Sequence, residues 1–227
     1  MLAPPSPDDL ISLLPTQAHT VLSVQPPTDT SRLPAAEQAA AESMQPVRRR
    51  EFMHGRICAR AALTALGVAD PVIPVGTDRE PVWPDGVVGS ISHCDAVAAA
   101  VVARREDIGG LGIDLESNEP LDRQTLALVC RETELSWLAH ADDELHLAKL
   151  IFSAKESIYK CIWPVIRHFV DFQDIGIQID TETQRFVAVD WDDDLPAPLI
   201  GSIRGRYRVR DGWIMTTSCL SPIRIDP

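Results

Sequence analysis

Four segments of this 227-residue chain carry side chains able to do chemistry at telling spacings. The first is Gly112-Ile-Asp114-Leu-Glu116. On a strand, residues i and i+2 share a face, so Asp114 and Glu116 would present two carboxylates side by side. Like charges that close repel, and a divalent cation relieves the repulsion. Oxygen-only ligands favour Mg²⁺, which keeps waters and shares phosphate oxygens. Leu115 points into the core, yet its backbone carbonyl stays available. By itself the pattern also fits a solvated strand edge.

The second segment is Phe152-Ser-Ala-Lys155-Glu156-Ser-Ile-Tyr159-Lys160-Cys-Ile-Trp163. On a helix, Glu156 and Lys160 form an i,i+4 pair in the favoured orientation. A surface ion pair would explain that much, but two of only three lysines in the chain stand here among bulky aromatics. The third segment runs from Arg48 to Arg60 and nets +4. At 100° per residue, Arg49, Arg56 and Arg60 fall within roughly 40° of one another, with Arg48 on the flank. Guanidinium groups grip phosphates through paired hydrogen bonds. The fourth, Gly89-Ser-Ile-Ser92-His93-Cys94, ends a strand-like run and places small hydroxyls beside a histidine. It lacks the Gly-x-Ser-x-Gly elbow of a serine hydrolase. A further alternation, Arg204, Arg206, Arg208 and Arg210, reads as the solvated outer face of a strand.

These segments sit in an acidic chain with 33 Asp and Glu against 21 Lys and Arg, for a formal charge of -12. That excludes a generally basic, nucleic-acid-coating surface. Only Lys149, Lys155 and Lys160 are lysines, all within twelve residues. Five separated cysteines form no zinc spacing and read as reduced, mostly buried thiols. The N-terminus lacks the basic and apolar stretches of a secretory signal. The longest apolar run, Ala96 to Ala103, is far short of a membrane span. A cytoplasmic protein without membrane contact is expected.

The elements needed to position the segments follow in order. A proline-rich start contains a strand near Thr20–Val24. A helix begins at Ala35, Pro46 breaks or restarts it, and a second runs from Val47 to Leu66. Segments 87–93, 96–103 and 111–116 look like three strands of a meander. Residues 122–163 read as two helices parted near His140–Asp143, the second ended by Pro164. The tail returns to strands, with Asp211-Gly212 marking a hairpin.

The basic helix, Arg79-Glu80-Pro81-Val-Trp83-Pro84, Gly-Ser-Ile-Ser-His, Gly-Ile-Asp-Leu-Glu and Lys-Glu-Ser-Ile-Tyr-Lys together resemble the 4′-phosphopantetheinyl transferases of the surfactin and enterobactin-synthase component D type. The resemblance covers about residues 45–165. It implies an α+β fold of two pseudo-symmetric halves, each a small mainly antiparallel sheet packed on a long helix, with the active site in the cleft between them. The halves would be residues 1–105 and 106–227. It implies transfer of the phosphopantetheine arm of coenzyme A to a serine of an apo acyl or peptidyl carrier protein, releasing 3′,5′-ADP. Fatty acid, polyketide, non-ribosomal peptide and siderophore carriers all offer such a serine. Mg²⁺, with Mn²⁺ as the alternative ion, would be held by Asp114, Glu116, Glu156 and the Leu115 carbonyl. Arg48, Arg56, Arg79, Ser92, His93, Lys155 and Lys160 would contact coenzyme A. Glu156, Lys160 and Asp114 would carry the chemistry, and a monomer would suffice. Two other readings use the same residues: a Mg²⁺-dependent nucleotide phosphohydrolase, and a non-catalytic module that binds coenzyme A or a carrier protein.

Overall fold

The computed structural model describes residues 3–29, 31, 33–191, 199 and 201–222. Two long helices organise the rest. The first, α3 (Pro46–Ala65), follows two short helices, α1 (Pro7–Ile11) and α2 (Ala35–Glu42), and the strand β1 (His19–Ser23). Pro46 restarts the helix as its first residue, where a missing N–H and a fixed φ do no harm. The second long helix is α6 (Glu144–Ile166). It runs two residues beyond Pro164 and stops at Arg167, whose φ is 55°. Proline in the last turn therefore does not end it, contrary to the sequence expectation.

Three strands follow α3: β2 (Val87–Cys94), β3 (Val97–Arg104) and β4 (Gly110–Ser117). They do not form a meander. The order of the first sheet is β1-β3-β2, whereas β4 joins a second sheet of order β4-β8-β7-β6-β5. The added strands are β5 (Ile175–Asp180), β6 (Arg185–Trp191), β7 (Ile203–Arg210) and β8 (Trp213–Leu220). Every pairing is antiparallel. Between β7 and β8, Asp211 and Gly212 both have positive φ, the backbone that a tight hairpin turn requires.

The edges of β2 and β4 face each other without a backbone ladder. Two serine hydroxyls substitute for it: Ser90 Oγ accepts the Ile113 N–H and Ser92 Oγ accepts the Leu115 N–H, each at 3.1 Å. This seam joins the two halves.

Each sheet packs on its own helix. Against α3 lie Ala98, Ala100 and Val102 of β3. The alternate residues Val97, Ala99, Val101 and Ala103 face a second core with Leu111, Ile113 and Leu115 of β4. A strand buried on both faces explains the unbroken apolar run there. The largest core lies between α6 and the second sheet. Gly112 permits that contact, because a Cβ there would stand 1.7 Å from the Ser157 carbonyl oxygen.

The α+β architecture of two sheet-on-helix halves is the one expected. The division at 105/106 falls in the loop between β3 and β4. On the other side of it, α1 packs on the second sheet: Asp9 binds Arg208 at 2.9 Å and Arg210 at 3.1 Å, and Trp213 Nε1 donates to the Ala3 carbonyl. The arginine face of β7 is thus partly covered, not wholly solvated as the alternation implies. The segment between β4 and α6 holds two helices, α4 (Arg123–Val129) and α5 (Glu132–Leu138), where the sequence pattern suggests one. The extra break occurs because the Glu134 carboxylate turns back to accept the Arg131 N–H and caps α5.

Candidate active site

Strand β4 and helix α6 bring the acidic groups together. Asp114 is 3 % exposed and accepts three hydrogen bonds. Ser92 Oγ of β2 donates to Oδ1 at 3.0 Å, Lys160 Nζ of α6 to the same oxygen at 2.7 Å, and Ser153 Oγ of α6 to Oδ2 at 2.9 Å. Lys160 also stands 3.7 Å from Glu156. Glu116, two residues along the same face of β4, is paired with Lys149 at 2.6 Å. Leu115 donates its N–H toward β2 and not toward β8. In an antiparallel strand the carbonyl of a residue shares the edge of its N–H, so the Leu115 carbonyl also faces the seam.

Charge in this group is strained. Burial raises the Glu156 carboxyl above its ordinary range; Lys160 offsets part of that, while Asp114 and Glu116 add to it. Burial likewise raises Glu116 against the pull of Lys149. Burial alone would lower Lys160, but Asp114 and Glu156 together push it upward. The three carboxylates act on one another, yet each is turned to a lysine. Among the described residues, no group of three or more His, Cys, Asp or Glu is gathered tightly enough to hold a metal as it stands. The donor set itself is all oxygen, carries excess negative charge and fits a hard divalent cation.

The basic side of the site comes from α3 and the end of β2. Arg48 Nη1 lies 2.8 Å from His93 Nε2. A guanidinium only donates, so that ring nitrogen accepts and the imidazole is neutral. Burial holds the His93 pKa below its ordinary value, with Arg48 and Lys160 adding to the effect and Glu51 and Asp114 opposing it. Of the three consecutive arginines, Arg48 is the one beside His93. Arg49 instead donates to the carbonyls of Ala41, Glu42 and Met44 and caps α2.

The arginine stripe seen in the sequence faces α2, not solvent. Arg56 is buried, its guanidinium 4.8 Å from the centre of the Phe52 ring and in reach of the Pro74 carbonyl. Burial lowers its pKa to about 10; Glu37 of α2 opposes that and Arg48 reinforces it. Arg79 is exposed, in a loop where its φ is 68°. It lines a cavity of about 370 Å³ with Thr77, Asp78, Tyr159, Trp163 and Phe169. That cavity lies between the loop of the first half and the end of α6.

Two expected contacts are corrected. Lys155 is not in the cleft. It is 2 % exposed and donates to Glu134 and to the carbonyls of Val129 and Phe172, each at 2.8 Å. Five residues on a helix turn about 140°, so Lys155 and Lys160 cannot share a face. Ser92 does not offer its hydroxyl to a phosphate; the oxygen accepts from Leu115 and its proton goes to Asp114. Sequence reasoning missed Lys149, Ser153 and His54 as neighbours of the site. Lys149 carried a signal, since seven residues before Glu156 is two helical turns and the same face. His54 is buried on α3 with Nε2 lacking a hydrogen-bond partner among the described residues.

Known proteins match both halves of the chain. Residues 36–103 match the 4′-phosphopantetheinyl transferase N-terminal domain, and residues 110–210 match the 4′-phosphopantetheinyl transferase superfamily. The chain is 34 % identical to the 4′-phosphopantetheinyl transferase Npt of Nocardia iowensis over 216 residues, covering 90 % of this chain and 96 % of that one. It is 37 % identical to Svp of Streptomyces mobaraensis over 218 residues, covering 91 % and 87 %. With PptT of Mycobacterium tuberculosis it shares 36 % over 180 residues, covering 76 % and 79 %. The chain belongs to the 4′-phosphopantetheinyl transferase superfamily and is an enzyme of that class. No helix among the described residues is long and apolar enough to cross a membrane.

Proposed function

We propose that this enzyme transfers the 4′-phosphopantetheine arm of coenzyme A to a serine of apo acyl or peptidyl carrier proteins, with the cleft between β4–α6 and the Arg48–His93 pair as its active site. One observation carries the assignment of the site. Asp114 and Glu156 lie beside Lys160 and Glu116 beside Lys149 on one side, and Arg48 and His93 come from the other half. Neither half has the whole set.

Coenzyme A is a polyanion, and the cationic groups meet that charge. Arg48 and Arg56 repel one another in the free protein, and a phosphate between them would relieve the repulsion. Neutral His93 can donate from Nδ1 while Nε2 accepts from Arg48. Arg79 and the aromatic cavity beside it suit the less charged part of the substrate. Lys160, ion-paired with Asp114 and Glu156, would hold the bridging oxygen of the pyrophosphate. Asp114, Glu116, Glu156 and the Leu115 carbonyl would hold Mg²⁺. When bound, the ion supplies charge neutralisation and Lewis acidity at the pyrophosphate.

The incoming serine oxygen forms a bond to the phosphorus next to pantetheine. The bond from that phosphorus to the bridging oxygen breaks, and 3′,5′-ADP leaves with the electron pair. Glu156 would accept the serine proton. A monomer in the cytoplasm, without nucleic acid or membrane, is sufficient for this reaction because both halves are in one chain.

The deciding measurement is mass spectrometry of a panel of apo carrier proteins incubated with coenzyme A and Mg²⁺. One phosphopantetheine should be added per carrier, with one 3′,5′-ADP released. Hydrolysis of coenzyme A without carrier modification would replace this reading with a phosphohydrolase. Binding without either product would leave a non-catalytic module.

A further inference from the structure

All three lysines of the chain lie on α6, and each is ion-paired: Lys155 with Glu134, Lys160 with Asp114 and Glu156, and Lys149 with Glu116. Lys155 braces the core, and Lys160 belongs to the site proposed above. Lys149 is left without an assigned task. It is seven residues from Glu156 and so shares its face of α6. Its ammonium stands 2.6 Å from Glu116 Oε2, with the side chains 17 % and 21 % exposed, and lies 5.0 Å from the centre of the Phe152 ring. This is a short, partly desolvated pair beside two other carboxylates, not a solvated surface contact.

We infer that Lys149 is a resident counter-cation of Glu116 which a divalent ion must displace, so that Lys149 sets the metal concentration at which the site fills. The inference rests on the metal assignment above. Its basis is that the three carboxylates each turn to an ammonium instead of converging on one point. A dication entering beside Glu116 meets the ammonium's positive charge and competes for the same oxygen. The face of the Phe152 ring gives the released ammonium a place to stay close by. Lys149 is thus a positioning residue: it acts through Glu116 and touches no reacting atom.

The test is Mn²⁺ binding, followed by the loss of the free-ion electron paramagnetic resonance signal, in the full-length enzyme with coenzyme A. In Lys149→Met the apparent Kd for Mn²⁺ should fall by about two- to five-fold, the range an ion pair of this exposure supports. Lys149→Gln should behave the same way. Lys149→Arg, which keeps the charge, should bind Mn²⁺ no more tightly than the wild type. A merely structural lysine would lower the melting temperature in Met and Gln variants alike and leave the Mn²⁺ affinity unchanged or weaker. That result would overturn the role of Lys149 while the metal assignment stands. If the wild type shows no saturable Mn²⁺ binding, the metal assignment fails, and with it the inference.

Discussion

Ser92 of β2 donates its hydroxyl proton to Asp114 of β4 at 3.0 Å, and the same oxygen accepts the Leu115 N–H at 3.1 Å. One small side chain thus spans the seam where the two sheets lack a backbone ladder and fixes a carboxylate of the proposed site. Ser153 reaches the other oxygen of Asp114 from α6 and is itself 2.9 Å from Thr216 of β8. Asp114 is held from three elements: β2, β8 by way of Ser153, and α6.

Ser92→Ala removes that link. The Leu115 N–H and one Asp114 hydrogen bond are left unmade in a buried place, which should destabilise the protein by about 1–3 kcal/mol. Urea denaturation gives the stability, and carrier loading at fixed coenzyme A gives the rate. Loading should fall by more than the folded fraction does, because Asp114 loses its alignment. Full activity per folded molecule would show that the seam does not position the carboxylate.

Lys155 and Lys160 should separate cleanly. Lys155→Met leaves Glu134 buried without its counter-charge and should cost about 3–5 kcal/mol of stability. The refolded or cooled enzyme should keep its apparent affinity for coenzyme A. Lys160→Met leaves buried Asp114 with only its serine donors and should also lose stability, but per folded molecule it should lose transfer and bind coenzyme A more weakly. Thermal melts and initial rates on the pair decide the matter. Equal loss of coenzyme A affinity in both would return Lys155 to the cleft.

The shared face of Asp114 and Glu116 was legible because a strand's period of two belongs to the backbone and needs no tertiary knowledge. The same holds for Glu156 and Lys160 one helical turn apart. Lys155 was misplaced although its position was also readable: its angle from Lys160 excludes a common face, and the run of charge obscured the phase. Ser92 is different. Its task depends on two strands from different sheets lying edge to edge, and nothing local predicts that β4 leaves the meander. The inward turn of Arg49 and Arg56 was likewise hidden, because it depends on α2 folding back onto α3 with Glu37 and the carbonyls of Ala41, Glu42 and Met44 to offer.

His54 should make stability depend on pH. Its pKa is held below the ordinary 6.5 by burial, with His93 adding to the effect. The unfolded chain takes up the proton first as pH falls, so a lowered folded-state pKa means stability present above 6.5 and lost below it. Other groups titrate in the same range, so the readout is the difference between wild type and His54→Leu. Denaturant midpoints from pH 7.5 to 5.5 should fall more steeply for the wild type than for the variant. Parallel curves would mean that His54 is protonated with equal ease folded and unfolded.

Glu156→Gln tests the proton acceptor with little disturbance of the fold. The side chain is 29 % exposed, and Lys160 keeps its 2.7 Å contact with Asp114. Stability should therefore change by less than about 1 kcal/mol, as for other partly exposed ion pairs. Transfer should fall by about 10²-fold or more, the usual contribution of a positioned general base. A group that acts only in the proton-transfer step should show its loss in kcat and not in the KM for carrier. Single-turnover loading measured alongside carrier affinity separates the two. A variant that loads carriers at close to the wild-type rate would remove Glu156 from the chemistry and leave the serine proton to another acceptor.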